Sequence, residues 1–235
     1  MRQALIVVAA GGGQRLGQGI DKPYVELEGR PLVWHCLKSL DIPGLFHQRI
    51  VVVAPNTENR FRDEILKRFP LDHPVRLVPG GETRQASAYR GIEAVGTDVD
   101  LVAIHDAARA LIDEDTMRAT FNACQGVDGA LVALPVQEAL KRIEGDLVVA
   151  EVPREGVWRA QTPQTFWLPV IRAAHEAART EGLDDAPDDA SLVIQRGGRV
   201  RVIQGTKVNL KITVPEDLKI AGMLLRARQI SHHDL

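Results

Sequence analysis

The chain opens with Ala4-Leu5-Ile6-Val7-Val8-Ala9-Ala10-Gly11-Gly12-Gly13-Gln14-Arg15-Leu16-Gly17-Gln18-Gly19-Ile20-Asp21-Lys22-Pro23, an unbroken apolar run that gives way to a glycine-rich loop. A short run without polar alternation reads as a strand buried on both faces, the condition of strands inside a parallel sheet. Glycines let a backbone approach a polyphosphate closely, and successive amides can turn inward as an anion nest. The loop departs from two common phosphate-binding patterns. A dinucleotide fold wants Gly or Ala at position 16, where Leu16 stands, and an acidic residue ending the second strand, which here runs into Pro55-Asn56. The Gly-Lys-Ser or Gly-Lys-Thr of a P-loop is missing as well. What remains is a glycine loop bearing two cations, Arg15 and Lys22. Taken by itself it is also compatible with a flexible loop whose charges are solvated.

Working outward, Ile50 to Ala54, Val75 to Val78, Leu101 to His105 and Ala130 to Leu134 repeat the near-continuous apolar pattern. Between them, Phe61, Ile65, Leu66 and Phe69, then Met117, Phe121 and Cys124, recur at helical spacing. Strand and helix in alternation predict an α/β fold, a doubly wound, mostly parallel, Rossmann-like sheet joined by right-handed crossovers. Ligands in such sheets gather beyond the carboxyl ends of the strands, which points to the segments after Ala9, Val78, His105 and Leu134. From Pro135 to Pro163 the rhythm changes. Ala139 to Ile143, Leu147 to Val152 and Val157 to Ala160 read as short strands separated by Glu144-Gly145-Asp146 and Arg154-Glu155-Gly156. A hairpin of this size buries little by itself, so residues 136–162 are expected to form a protruding β-arm that engages a partner subunit. Helices follow over Leu168 to Glu181 and Asp189 to Gln195, then a strand over Val200 to Ile203. A last helix is announced by Thr213, Pro215 and Glu216 as a capping box. The tail from Ser231 to Leu235, with His232 and His233, reads as frayed. The whole of 1–235 is expected to be one domain with that arm.

Composition narrows the function. The chain has 235 residues with 29 basic and 31 acidic side chains, a formal net charge of -2, so it lacks the basic face that binds duplex nucleic acid. No stretch approaches the ~20 apolar residues that span a bilayer, and the opening run is too short and wrongly flanked for a signal peptide. The two cysteines, Cys36 and Cys124, lie in apolar segments without zinc or disulfide spacing and read as core thiols of a reduced, cytoplasmic protein. His105, Trp34, Trp158 and Trp167 read as packing residues. Asp184, Asp185, Asp188 and Asp189 read as a solvated loop and a helix start rather than a metal cluster.

The loop Ala9-Ala10-Gly11-x-Gly13-x-Arg15 with Asp21-Lys22-Pro23 resembles the signature loop of nucleotidylyltransferases that join an NTP to a sugar or polyol phosphate. Further stretches narrow the likeness: Gly81-Glu82-Thr83-Arg84-Gln85-Ala86-Ser87, His105-Asp106-Ala107-Ala108-Arg109, Arg154 to Trp158, Thr162-Pro163-Gln164, Asp188-Asp189-Ala190-Ser191, and Asn209-Leu210-Lys211-Ile212-Thr213 with Pro215-Glu216-Asp217-Leu218. In this order and at these separations, from about residue 4 to 226, they resemble the 2-C-methyl-D-erythritol 4-phosphate cytidylyltransferase family of the non-mevalonate isoprenoid route.

The resemblance implies attack by a phosphate monoester on the α-phosphorus of CTP, with Mg²⁺ held mainly by the triphosphate and water rather than by protein ligands. It implies that Lys22 and Lys211 hold the α-phosphate and its five-coordinate transition state, and that Arg15 lies on the phosphates. Nucleotide contacts fall to Ala9, Ala10, Gly11, Gly13, Gly81, Glu82, Ser87, Asp106 and Ala107. The polyol phosphate falls to Asp106, Arg109, Arg154 and Thr162, with Arg154 reaching a neighbouring subunit if the arm is exchanged in a homodimer. Three positions depart from the family pattern. Ala139 and Pro187 stand where threonines are usual, and Ala110 replaces a proline. The first two concern the acceptor, which keeps ribitol 5-phosphate in view as an alternative. A catalytically silent nucleotide-binding regulator is a second alternative, against which the three cations speak.

Overall fold

The computed structural model describes residues 1–11 and 21–231. The predicted strands appear as β1 (Gln3–Val8), β4 (Gln48–Val53), β5 (Arg76–Pro79), β6 (Leu101–Asp106), β7 (Gly129–Pro135) and β11 (Val200–Gln204), with a minor hairpin of β2 (Glu26–Leu27) and β3 (Arg30–Pro31) after the glycine loop. The helices are α1 (Leu32–Ser39), α2 (Glu58–Phe61, continued by a π-helical turn over Arg62–Leu66), α3 (Arg84–Ala94), α4 (Glu114–Ala123), α5 (Leu168–Thr180), α6 (Asp189–Gln195) and α7 (Pro215–Ser231). Residues 136–162 do not form a detached three-stranded arm. Only β8 (Leu140–Glu144) and β9 (Leu147–Val152) stand apart as a two-stranded hairpin, whereas the segment from Val157 onward feeds β10 (Trp158–Trp167), which enters the central sheet.

The sheet runs β11-β7-β10-β6-β1-β4-β5. β1 pairs in parallel with β4 and β6, β4 with β5, and β7 with β11, while β10 lies antiparallel between β6 and β7. Successive side chains of β1 point to opposite faces, so Leu5 and Val7 join a core built with α1 and α4. Ala4 and Ile6 join the opposite core with α3, α5 and α6. The helix α3 lies unusually close to the sheet: a Cβ on Gly91 would meet Ile6 Cγ2 at 2.5 Å. Among the described residues, no helix is long and apolar enough to cross a membrane.

β10 escaped the hydropathy pattern because its buried stretch is polar. Gln161, Thr162, Gln164 and Thr165 are all buried, and each finds a partner. Thr165 Oγ1 donates to Thr120 Oγ1 (2.8 Å), and Gln164 Nε2 donates to Asp188 Oδ2 (2.9 Å) while its Oε1 accepts from Ala190 N (2.9 Å). Paired in this way, polar side chains can occupy a sheet interior without the desolvation cost of orphaned groups. Three smaller expectations change too. The N-terminus of α7 is closed by Asp217 rather than Glu216: its Oδ2 accepts from the amides of Thr213 (2.7 Å) and Val214 (3.0 Å). The helix starts one residue later than the Thr213 box implied, which shifts the reach-back carboxylate to 217. Trp158 is 39% exposed beside the hairpin, whereas Trp34 and Trp167 pack on the core. Asp189 is buried, not solvated.

At the carboxyl end of β6, His105 fixes the junction with β10. Its Nε2 faces the Arg109 carbonyl (3.0 Å), which only accepts, so Nε2 carries the proton and Nδ1 accepts from the Thr162 hydroxyl (3.1 Å). The same hydroxyl oxygen accepts from Asp106 N–H (3.0 Å). Full burial lowers the His105 pKa from 6.5 to about 4. The folded value lies below the unfolded one, so this group's contribution to stability is complete above pH 6.5 and is lost as pH falls toward 4. The shift corresponds to on the order of 3 kcal/mol. Histidine ¹⁵N NMR should therefore show a neutral Nε2–H imidazole at residue 105 down to about pH 5. A midpoint near 6.5 would refute this network.

Candidate active site

The carboxyl ends of β1, β5 and β6 converge on a cleft of about 660 Å³. Ala9, Ala10 and Gly11 form one wall as β1 ends, Gly81, Glu82, Thr83, Arg84 and Ser87 a second, and Asp106, Ala107 and Ala108 a third. Lys22, which opens a 3-10 turn over Lys22–Tyr24, and Lys211, in the loop before α7, reach in from separate segments. The wall backbones touch because of their small residues: a Cβ on Gly80 would lie 2.8 Å from both Ala10 Cβ and Ser87 Oγ. Ser87 closes the turn, accepting from Gly81 N–H (3.1 Å) and donating to its carbonyl (3.3 Å). Thr83 caps α3 by accepting from Ala86 N–H (3.0 Å). The amides of Ala9 and Ala107 are bonded to Val52 O (2.8 Å) and Val8 O (3.1 Å), so at these two residues the main-chain N–H is not a donor for a ligand.

Charge is arranged in a chain. Asp106 Oδ2 takes Lys211 Nζ at 2.7 Å and Oδ1 takes Arg84 Nε at 2.9 Å. Burial alone would raise the Asp106 pKa, but Arg84 and then Lys211 outweigh it and hold the carboxyl well below the ordinary range. Arg84 continues to Asp189 Oδ2 (2.9 Å), whose other oxygen faces His175 Nε2 (3.1 Å). Burial lowers the Arg84 pKa, and the two carboxylates more than reverse it. The pairing leaves Lys211 42% exposed on the cleft side. Against the opposing effect of burial, hydrogen bonds from Thr213 and Val214, with Lys22 adding its charge, hold the Asp217 carboxyl below its ordinary range at the start of α7, and Thr213 just before that helix lines the cleft.

Of the predicted residues, Ala9, Ala10, Gly11, Lys22, Gly81, Glu82, Ser87, Asp106, Ala107 and Lys211 therefore share one cleft. Arg15 and Gly13 lie outside the described residues. Arg109, Arg154 and Thr162 do not line it. Arg109 is buried, donating to the carbonyls of Asn209 (2.8 Å) and Ala160 (3.4 Å) rather than pairing with Asp106. Thr162 is occupied by His105 and Asp106, and Arg154 is exposed beyond β9, bonded to the Gln137 carbonyl. Arg84 was not singled out from the sequence, although it sits in the Gly81 to Ser87 stretch. A lone arginine on a helix looks solvated until its two carboxylate partners, 22 and 105 residues away, are brought beside it. Among the described residues, no group of three or more His, Cys, Asp or Glu side chains is placed to hold a metal.

The sequence model of the 2-C-methyl-D-erythritol 4-phosphate cytidylyltransferase family matches residues 3–227. The 2-C-methyl-D-erythritol 4-phosphate cytidylyltransferase of Geotalea uraniireducens is 39% identical over 230 residues, 97% of this chain and 98% of that protein. Among solved structures, the 4-diphosphocytidyl-2C-methyl-D-erythritol synthase of Anaerococcus prevotii superposes with a TM-score of 0.82 at 28% identity, covering 96% of each chain. The corresponding cytidylyltransferase of Thermus thermophilus gives 0.77 at 32% identity, over 94% of this chain and 98% of that one. With a match that runs through every wall of the cleft, the chain belongs to the 2-C-methyl-D-erythritol 4-phosphate cytidylyltransferase family.

Proposed function

We propose that this chain transfers the cytidylyl group of CTP to 2-C-methyl-D-erythritol 4-phosphate in the cleft ringed by Lys22, Arg84, Asp106 and Lys211. The products are pyrophosphate and 4-diphosphocytidyl-2-C-methyl-D-erythritol. An acceptor phosphate oxygen bonds to the α-phosphorus as the bond to the β-phosphate oxygen breaks. The nucleophile is already an anion, so the protein's work is alignment and compensation of charge rather than proton removal. Two anionic groups about 4 Å apart repel by about 4 kcal/mol per charge pair at an effective dielectric of 20, so cations must converge on the reacting phosphorus. The convergence of Lys22 and Lys211 on one cleft, from positions 189 residues apart, is the observation that carries this reading. Asp106 supports it by keeping Lys211 turned toward the cleft, and Arg15 completes the set on the triphosphate. The small residues Ala9, Ala10, Gly11, Gly13 and Gly81, with Glu82, Ser87 and Ala107, take the nucleoside.

A divalent cation such as Mg²⁺ would be held by the triphosphate and water rather than by a protein cage, in keeping with that ion's reluctance to shed water. The chain's own residues fit this better than a protein cage: Asp106, the buried carboxylate of the cleft, has both oxygens engaged by cations. The ion's contribution is to neutralise triphosphate charge. A reducing compartment, the cytoplasm, suits two buried, unpaired thiols.

We assign the β8–β9 hairpin to homodimerisation. Ile143, Val148 and Leu147 are more than half exposed, an apolar strip that a monomer would leave in water. Arg154 at its base, outside its own cleft, then serves the acceptor phosphate of the neighbouring site, where Asp106 lines the acceptor side and Arg109 acts from behind it by holding the Asn209 carbonyl.

Pyrophosphate release from CTP and Mg²⁺ with each acceptor tests the reading. Turnover is expected with 2-C-methyl-D-erythritol 4-phosphate and much less with ribitol 5-phosphate; CTP binding without release from either would instead mark a silent regulator. In that assay Lys22→Ala should lower kcat by about 10² or more, the loss expected for one transition-state donor, and a near-normal kcat would remove Lys22 from the site. Arg154→Ala should chiefly raise KM for the acceptor, and an effect confined to CTP would contradict its assignment. Sedimentation should show a dimer that Ile143→Asp with Val148→Asp, two residues paired across the hairpin, converts to monomer; unchanged sedimentation would defeat the hairpin's role.

A further inference from the structure

Asp189 is the buried group of this region that the transfer chemistry leaves unused. Its side chain is 1% exposed, and its pKa is nevertheless held low: burial opposes ionisation, while Arg84 and the His175 hydrogen bond more than offset it. A buried carboxylate is a poor stability device, because an apolar residue of similar volume often serves the fold equally well. Helix capping does not explain it either. Asp188 already caps α6, accepting from Ser191 N–H at 2.9 Å and from the Ser191 hydroxyl at 2.6 Å.

Geometry supplies another reason. The Arg84 guanidinium is held at two separate atoms, Nε on Asp106 and Nη2 on Asp189, which together set the plane of the fork. Lys211 and Arg84 are both cations on Asp106, and Asp189 adds the second negative charge, so the four groups balance. Without Asp189's charge, the fork is free to turn and offer Asp106 two parallel N–H bonds, the preferred arginine–carboxylate arrangement. That arrangement would occupy Oδ2, the oxygen that holds Lys211 at 2.7 Å.

We propose that Asp189, braced by His175, is a positioning residue for cytidylyl transfer: by holding Arg84 to one contact on Asp106 it reserves the other carboxylate oxygen for Lys211. His175 is itself fixed, with its ring stacked on Tyr89 at 6.0 Å and 19° between planes. Because the acceptor of its Nε2 contact is an ionised carboxylate, Nε2 is the donor. The proposal rests on the reading of Lys211 as a phosphate-holding cation.

A double-mutant cycle on the full-length protein tests it, with kcat expressed per folded molecule from urea titrations. Asp189→Asn preserves shape and removes charge. It should lower kcat about tenfold with less than about a twofold change in KM for CTP, and change kcat less than about twofold when Lys211 is already Ala. Equal loss in both backgrounds, or an unchanged kcat, would overturn the proposal. Should Lys211→Ala alone retain wild-type kcat, the reading of the site fails and the positioning role with it; with Lys211→Ala impaired and the losses additive, only the positioning role fails. If Asp189→Asn does not fold, His175→Phe carries the cycle, since it keeps the stacked volume and removes the donor, with about a threefold loss expected only where Lys211 is present. Failure of both variants to fold would make the pair a folding requirement and refute the proposal.

Discussion

A carboxylate with both oxygens on cations sits at the carboxyl end of β6, and the arrangement of the cleft follows from it. Asp106 is nearly inaccessible to water, and an isolated charge there would be intolerable. Arg84 on one side and Lys211 on the other make it tolerable, and in return it aims them. Two cations brought together without that anion would repel each other before any substrate arrived. With it, the positive groups are held in place in the cleft before any ligand arrives. The ionised state of Asp106 is the constraint on which Lys211's orientation, Arg84's fork and the third wall of the cleft all depend.

The antiparallel strand β10 is what makes that position buildable. It separates β6 from β7 and carries polar side chains into the sheet, where Thr162 takes the Asp106 amide and the His105 ring. The neutral His105 couples β6 to the Arg109 carbonyl, and Arg109 in turn anchors the loop at Asn209, two residues before Lys211. One path of hydrogen bonds therefore runs from β10 through His105 and Arg109 to Asn209, outside the cleft, and a second runs from Thr162 through Asp106 to Lys211. The hairpin leaves the sheet between β7 and β10, whose pairing shifts register between Ala160 and Gln164, so its exposed apolar residues and Arg154 stand outside their own cleft.

Much of the fold was readable from hydropathy. Five apolar runs and their helical spacers lie where their periods put them, because strands buried on two faces leave no room for polar alternation. Two of the readings that changed share one cause. Val157 onward looked like a third strand of an arm, and Asp189 looked solvated, because a polar residue in a sequence is assigned to water by default. In both cases the chain supplies a polar partner that is distant in sequence: Thr120 for Thr165, Arg84 and His175 for Asp189. The shift from Glu216 to Asp217 at α7 has a more local origin, since a single-residue change in where a helix starts moves the capping carboxylate with it.

By itself the sequence determined the alternation of strand and helix, the strand ends at which a ligand would gather, and the identity of the cations Lys22 and Lys211. The first two follow from residue type and spacing, which act over a few positions, whereas Lys211 is picked out only by the resemblance of its stretch to the family. Only the tertiary structure decided that Asp106 pairs with Arg84 and Lys211 rather than with Arg109 three residues on, that Thr162 serves the sheet, and that Arg154 stands outside its own cleft. The physical reason is that charges and hydrogen-bonding groups choose partners by distance in space after burial has removed water as the alternative, and no local pattern encodes that distance.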